Sequence, residues 1–186
     1  MKWYFASTRS QAHLEILVKE KVENVLLSYA YFMKGPPSVL ANLEPSKRPN
    51  VMLDSGGFSL EKSDVKIERY MEYVKQYKSF FGEYVALDDP RSRDTTLKNY
   101  ETMCKAGFKP IPVDHIGMKW DPRLSKIYTS GQKLAWGGIV SKKLSRSWKK
   151  AIGKINGRFR FAESKPTSKL HLLGVGQAIK KYLPYF

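Results

Sequence analysis

Seven short apolar runs, with helical or turn-forming stretches between them, limit what this chain can fold into. They are Lys2–Ala6, Asn24–Tyr29, Asn50–Asp54, Glu83–Leu87, Phe108–Val113, Lys133–Val140 and Leu170–Val175. A strand with one wet face alternates apolar and polar residues. A nearly continuous apolar run has no wet face and reads as a strand covered on both sides, as in a parallel sheet joined by helices. Ser10 predicts the N-cap of a helix over Gln11–Val22, with Leu14, Ile16, Leu17 and Val18 as its apolar stripe. Ser63 predicts the cap of a long helix over Asp64–Phe80, and Asp94-Thr-Thr opens another that Gly107 closes after Ala106. A short helix is expected near Pro122–Thr129, a strongly basic one after Val140, and a last one from Gln177 to Tyr182. The proline-rich stretch Met33–Asn50 predicts a loop with at most a short helix, and Arg158–Phe161 reads equally as a helix end or a short strand.

Strand, helix, strand repeated along 186 residues indicates βαβ units in a single domain, 1–186, of the α/β class. A barrel and an open doubly wound sheet both satisfy that pattern. No G-x-G-x-x-G follows the first run, which counts against a dinucleotide fold. So many strands in so short a chain favour a minimal TIM-like (β/α)8 barrel lacking its last β/α unit. An open barrel seam in turn predicts a homodimer or a partner chain that completes it.

In parallel α/β folds the chemistry gathers at the C-terminal ends of the strands. Those ends carry Asp54, Ser55, Gly56 and Gly57, then Asp88 and Asp89, Asp114 and His115, Gly137 and Gly138, and Gly174. The chain has only 17 acidic residues, yet four Asp fall at three successive strand ends. Each stretch alone also reads as turn punctuation; their recurrence at successive ends is what points to a site. Carboxylates accept hydrogen bonds from N–H donors and move protons at a glycosidic centre. Guanine offers such donors at N1 and N2, and an O6 acceptor that backbone beside Gly138 can meet. Phe58 offers a ring on which a base can stack.

The charge balance, 33 Lys+Arg against 17 Asp+Glu for a net +16, favours a polyanionic partner. Lys142, Lys143, Arg146, Lys149 and Lys150 form the expected track for a nucleic-acid backbone, with a solvated helix face as the plainer alternative. Cys104 is the sole cysteine, which rules out an internal disulfide and a thiolate-rich zinc site, and the three histidines lack metal-ligand spacing. No metal and no cofactor are expected. No long apolar segment or signal-type leader is present, so a cytoplasmic protein without a membrane span is expected.

Leu53-Asp-Ser-Gly-Gly-Phe58, Ala86-Leu-Asp-Asp-Pro90, Leu134-Ala-Trp-Gly-Gly-Ile139 and His171-Leu-Leu-Gly-Val-Gly176 resemble, in the same order, motifs of the tRNA-guanine transglycosylase family. The resemblance implies an irregular (β/α)8 barrel and a pentosyltransferase that exchanges guanine in nucleic acid for a 7-deazaguanine. It implies that Asp54 handles the proton and the base, and that Asp88 reads the N1/N2 edge. Gly137 and Gly138 would meet the carbonyl oxygen, Phe58 and Leu173 would sandwich the ring, and Asp114 or His115 would add a polar contact. The family's nucleophilic Asp, on the strand after His-x-x-Gly-Val-Gly, has no counterpart in these 186 residues, and its Cys/His zinc site is absent from the sequence. The chain is therefore more similar to small phage-type relatives that place preQ0-like bases in DNA. DNA is the expected acceptor, with a tRNA-directed enzyme or an inactive nucleic-acid-binding subunit as alternatives.

Overall fold

The computed structural model describes residues 4–57, 59, 65–137, 153, 157 and 170–172. It has the expected mixed α/β character, and every strand pairing among the described residues is parallel. The pairings make a sheet of four strands and a sheet of three, and no closed ring of strands lies among the described residues. The chain divides into two compact units, Met1–Asp89 with Lys98–Pro110, and Pro90–Leu97 with Ile111–Phe186. Each is described by itself.

The first unit contains β1 (Phe5–Thr8), α1 (Gln11–Lys19), β2 (Asn24–Ser28), α2 (Ser38–Ala41), β3 (Asn50–Asp54), α3 (Ile67–Tyr77) and β4 (Glu83–Tyr84), and takes in Lys98–Lys105 of α4 (Arg93–Lys105). Its strands lie in the order β1-β2-β3-β4. Asn24 pairs with Asn50 and Ser28 with Asp54, so β2 and β3 run level from end to end. Val51, Met52 and Leu53 are each at most 2% exposed, as a strand covered on both faces requires. Ser10 caps α1 as its sequence predicts, accepting from the His13 N–H at 3.4 Å. At the end of α4, Gly107 has φ +83°, and the Phe108 N–H reaches back to the Met103 carbonyl at 3.0 Å. That is the left-handed closure glycine allows without steric cost.

Several boundaries differ from the sequence expectation. β1 occupies Phe5–Thr8, beginning after Tyr4 and running past the expected end at Ala6, with Lys2 and Trp3 outside the described residues; α1 stops at Lys19, and Lys21 turns to φ +54°. β2 ends at Ser28 because Tyr29–Tyr31 winds into a 3-10 turn. The long third helix begins at Ile67 after Lys66 instead of at Asp64, and it tightens to 3-10 over Lys78–Phe80. Ser63, its expected cap, lies outside the described residues. β4 is short, although the Val85 N–H still donates to the Leu53 carbonyl at 2.9 Å. α4 begins one turn position early, at Arg93, because Ser92 Oγ accepts the Thr95 N–H at 3.1 Å.

The second unit holds β5 (Val113–His115), α5 (Arg123–Thr129), β6 (Leu134–Gly137) and β7 (Leu170–Leu172), in the order β5-β6-β7. The fifth strand was expected over Phe108–Val113; it begins where that stretch ends. Pro110 and Pro112 have no N–H to give a ladder, so only after them does regular pairing start. The Pro112 carbonyl still accepts from the Ala135 N–H at 2.9 Å. The expected basic helix after Val140, the segment Arg158–Phe161 and the helix from Gln177 lie outside the described residues. Among the described residues no helix is long and apolar enough to cross a membrane.

The core of the first unit is built on aromatic rings. Tyr29 meets the edges of Tyr70 and Tyr73 with centroids 5.0 Å apart in each case. Tyr70 is fully buried, and its O–H donates to the Val85 carbonyl at 2.7 Å, pinning the segment after β4 to α3. Burial, then the carboxylates of Asp54 and Asp88, push the Tyr70 phenol well above its ordinary value of 10.0, so it stays protonated in the native chain. In the unfolded chain it ionises near pH 10. Its contribution is therefore complete below about pH 10 and is lost as pH rises beyond that, at about 1.4 kcal/mol per pH unit. Urea midpoints measured from pH 8 upward are expected to hold level and then fall above pH 10, with the alkaline fall reduced in Tyr70→Phe.

Candidate functional site

Because β1 to β4 are parallel, their C-terminal ends share one edge of the first unit's sheet. Asp54 closes β3 on that edge beside its register partner Ser28. Its Oδ2 accepts the Gly56 N–H at 3.1 Å, so the carboxylate organises the turn that follows it. Gly56 sits at φ +77°, and a Cβ there would fall 2.6 Å from Ser28 Oγ and 2.7 Å from Ala30 Cβ. Dihedral and space thus both demand glycine.

Gly57 is glycine for a different reason. A Cβ on it would lie 2.8 Å from the Asp88 carbonyl oxygen and 2.8 Å from its Oδ1. Asp88 is 8% exposed and packs directly over this backbone. The Gly57 N–H donates to Ser55 Oγ at 3.2 Å, and the fully buried Ser55 hydroxyl donates to Asp88 Oδ1. A short relay from backbone to hydroxyl to carboxylate therefore fixes Asp88 against the turn that follows Asp54. Both carboxylates also act on the phenol of Tyr70. Asp54 and Asp89 are half-buried.

The second unit holds a separate cluster. Asp114 is fully buried, and both of its oxygens are occupied from within the unit. Arg93 Nη1 donates to Oδ1 at 2.6 Å and Tyr128 Oη to Oδ2 at 2.7 Å. Trp136 Nε1 donates in turn to Tyr128 Oη at 2.8 Å. The second outer nitrogen of Arg93 donates to the His115 carbonyl at 2.8 Å. His115, the register partner of Gly137, lies on the opposite face of β5 from Asp114. A Cβ on Gly137 would fall 2.8 Å from His115 Nδ1, so the absence of a side chain there is what lets the imidazole lie against β6. At the start of α5, Arg123 bonds Asp121 and Asp94, and those bonds hold the Asp121 carboxyl below its ordinary value of 3.8.

The structure thus brings Asp54, Ser55, Gly56, Gly57 and Asp88 together in one unit, and Asp114, His115 and Gly137 together in the other. Phe58, Gly138, Leu173, Gly174, Lys142, Lys143, Arg146, Lys149 and Lys150 lie outside the described residues. Sequence reading gave no site role to Tyr70, Arg93, Tyr128 and Trp136, whose partners lie 8 to 22 residues away. Comparison of the chain with protein-family models, curated proteins and solved structures finds no match.

Removing Arg93 takes the guanidinium from a buried carboxylate, a loss expected to cost about 3–5 kcal/mol. Urea unfolding of Arg93→Met checks it. Gly57→Ala must displace Asp88 backbone as well as side chain, and is expected to cost about 1–3 kcal/mol in the same measurement.

Proposed function

We propose that this chain is a nucleic-acid guanine transglycosylase that exchanges guanine for a preQ0-like 7-deazaguanine, with DNA as its preferred acceptor. On this reading the fold is a minimal (β/α)8-type barrel lacking its last unit. The observation that carries the proposal is the joining of two distant carboxylates on one sheet edge, Asp54 beside the glycine turn and Asp88 fixed over it through Ser55. The four motifs shared with the transglycosylase family support the same reading, as does the net charge of +16 for a polyanionic substrate.

In this mechanism the target guanine is presented outside the base stack. Asp88, oriented by the Ser55 hydroxyl, accepts from the N1 and N2 donors of the base. The glycine at position 57 lets Asp88 pack close over the turn. A carboxylate attacks C1′ as the bond from C1′ to N9 breaks, through an oxocarbenium-like state. Guanine leaves with a proton on N9. The incoming deazaguanine gives up its N9 proton, forms the new bond to C1′ and releases the carboxylate. Asp54, half-buried and so reachable from solvent, is the group assigned to carry that proton between the two half-reactions.

The excess of basic residues also favours a second reading, a binding subunit that keeps the acidic edge but performs no exchange. Labelled preQ0 incubated with the chain and either single-stranded DNA, duplex DNA or tRNA separates these. Incorporation into DNA is expected, and Asp54→Ala is expected to lower its rate about 10²–10⁴-fold while oligonucleotide binding is kept. Binding without incorporation into any acceptor, or wild-type rates in Asp54→Ala, would overturn the enzyme reading.

A further inference from the structure

We propose that Arg9 and Tyr31 form a landing for one unpaired nucleotide of a nucleic-acid strand, at the rim of the edge that carries Asp54. The proposal rests on reading the chain as nucleic-acid-directed, and it adds residues outside the base-exchange set. Tyr31 is 40% exposed, whereas Tyr29, Tyr70 and Tyr73 are all buried in the core beneath. Its position is fixed all the same. The Tyr31 and Ser59 hydroxyls lie 3.2 Å apart in a hydrogen bond, and the Ser59 N–H donates to the Gly56 carbonyl at 2.8 Å. An exposed ring is thus strapped to the same turn that Asp54 organises. Over it stands the Arg9 guanidinium, its central carbon 5.8 Å from the ring centroid.

A flat ring with a cation above it, both open to solvent, matches a nucleotide in two respects. The base stacks on the ring, and the guanidinium meets the adjoining phosphate or lies over the base. An acidic peptide would use Arg9 but gain little from the ring, and it would bring carboxylates toward Asp54. A nucleotide instead keeps its negative charge at the outer rim and its N–H donors toward the acidic interior. Tyr31 is exposed, unlike the buried tyrosines of the core, so its variants are expected to report on binding more than on folding.

The test uses the full chain and a fluorescein-labelled single-stranded DNA dodecamer containing guanine, with anisotropy read across a series of KCl concentrations. Tyr31→Ala is expected to weaken binding about tenfold and Tyr31→Phe less than about twofold, since the stacking face is kept. Arg9→Gln is expected to reduce the slope of log K against log salt by about 0.7, one phosphate contact on a single strand. Absence of wild-type binding, a Tyr31→Ala effect under about twofold, or equal losses in Tyr31→Ala and Tyr31→Phe would overturn the proposal. Base exchange followed on the same oligonucleotide keeps the two readings apart. Ring-dependent binding without exchange leaves the landing standing and removes the enzyme; exchange with no dependence on Tyr31 does the reverse.

Discussion

A carboxylate taken out of water must be met by donors, and each unit of this chain meets that demand in its own way. Left unpaired, such a charge costs several kcal/mol, a large share of a domain's net stability. Asp114 is matched by a guanidinium and a phenol, the phenol itself held by an indole. Its charge is neutralised where it stands, so the cluster works as scaffold. Asp88 is met by a neutral hydroxyl, itself held by a backbone N–H. Those two bonds hold the Asp88 carboxylate over the turn that follows Asp54. Asp114 is thus tied into its unit by an ion pair and a phenol, and Asp88 into its own through the Ser55 hydroxyl.

How much of this was legible in the sequence depends on how local the cause is. β3 falls on Asn50–Asp54 as read, because a continuous apolar run ending in Asp-Ser-Gly-Gly contains both the strand and its stop. Ser10 and Gly107 mark their helix ends through bonds made within a few residues. β5 was misplaced because Phe108–Val113 has the right hydrophobicity but two residues that cannot donate to a ladder. The turn glycines were recognised as turn-formers, but not the crowding that fixes Gly57, since Ser55 and Asp88 are 33 residues apart. Arg93 was invisible for the same reason: nothing near it in the chain announces a buried aspartate on β5. Pattern reading reached the acids and missed the groups that decide what each acid does.

The distribution of charge around the first unit's edge has a consistent sense. Asp88 is buried and Asp54 half-buried, and Arg9 over the Tyr31 ring is exposed. On the proposed reading, that polarity suits a ligand anionic along its backbone and rich in N–H donors at its tip. The phenol of Tyr70 adds no charge to the inner layer, because burial and both carboxylates keep its proton in place.

The two-armed grip of Arg93 carries a consequence for which residues can stand there. One arm holds a side-chain oxygen of Asp114 and the other a main-chain oxygen of His115, so the residue gauges the path of β5 as well as balancing a charge. A lysine would supply the same unit of charge from a single point, without the rigid pair of donors that spans those two oxygens. Cations that are interchangeable on the surface are not interchangeable at this position, where the planar fork itself is the specification.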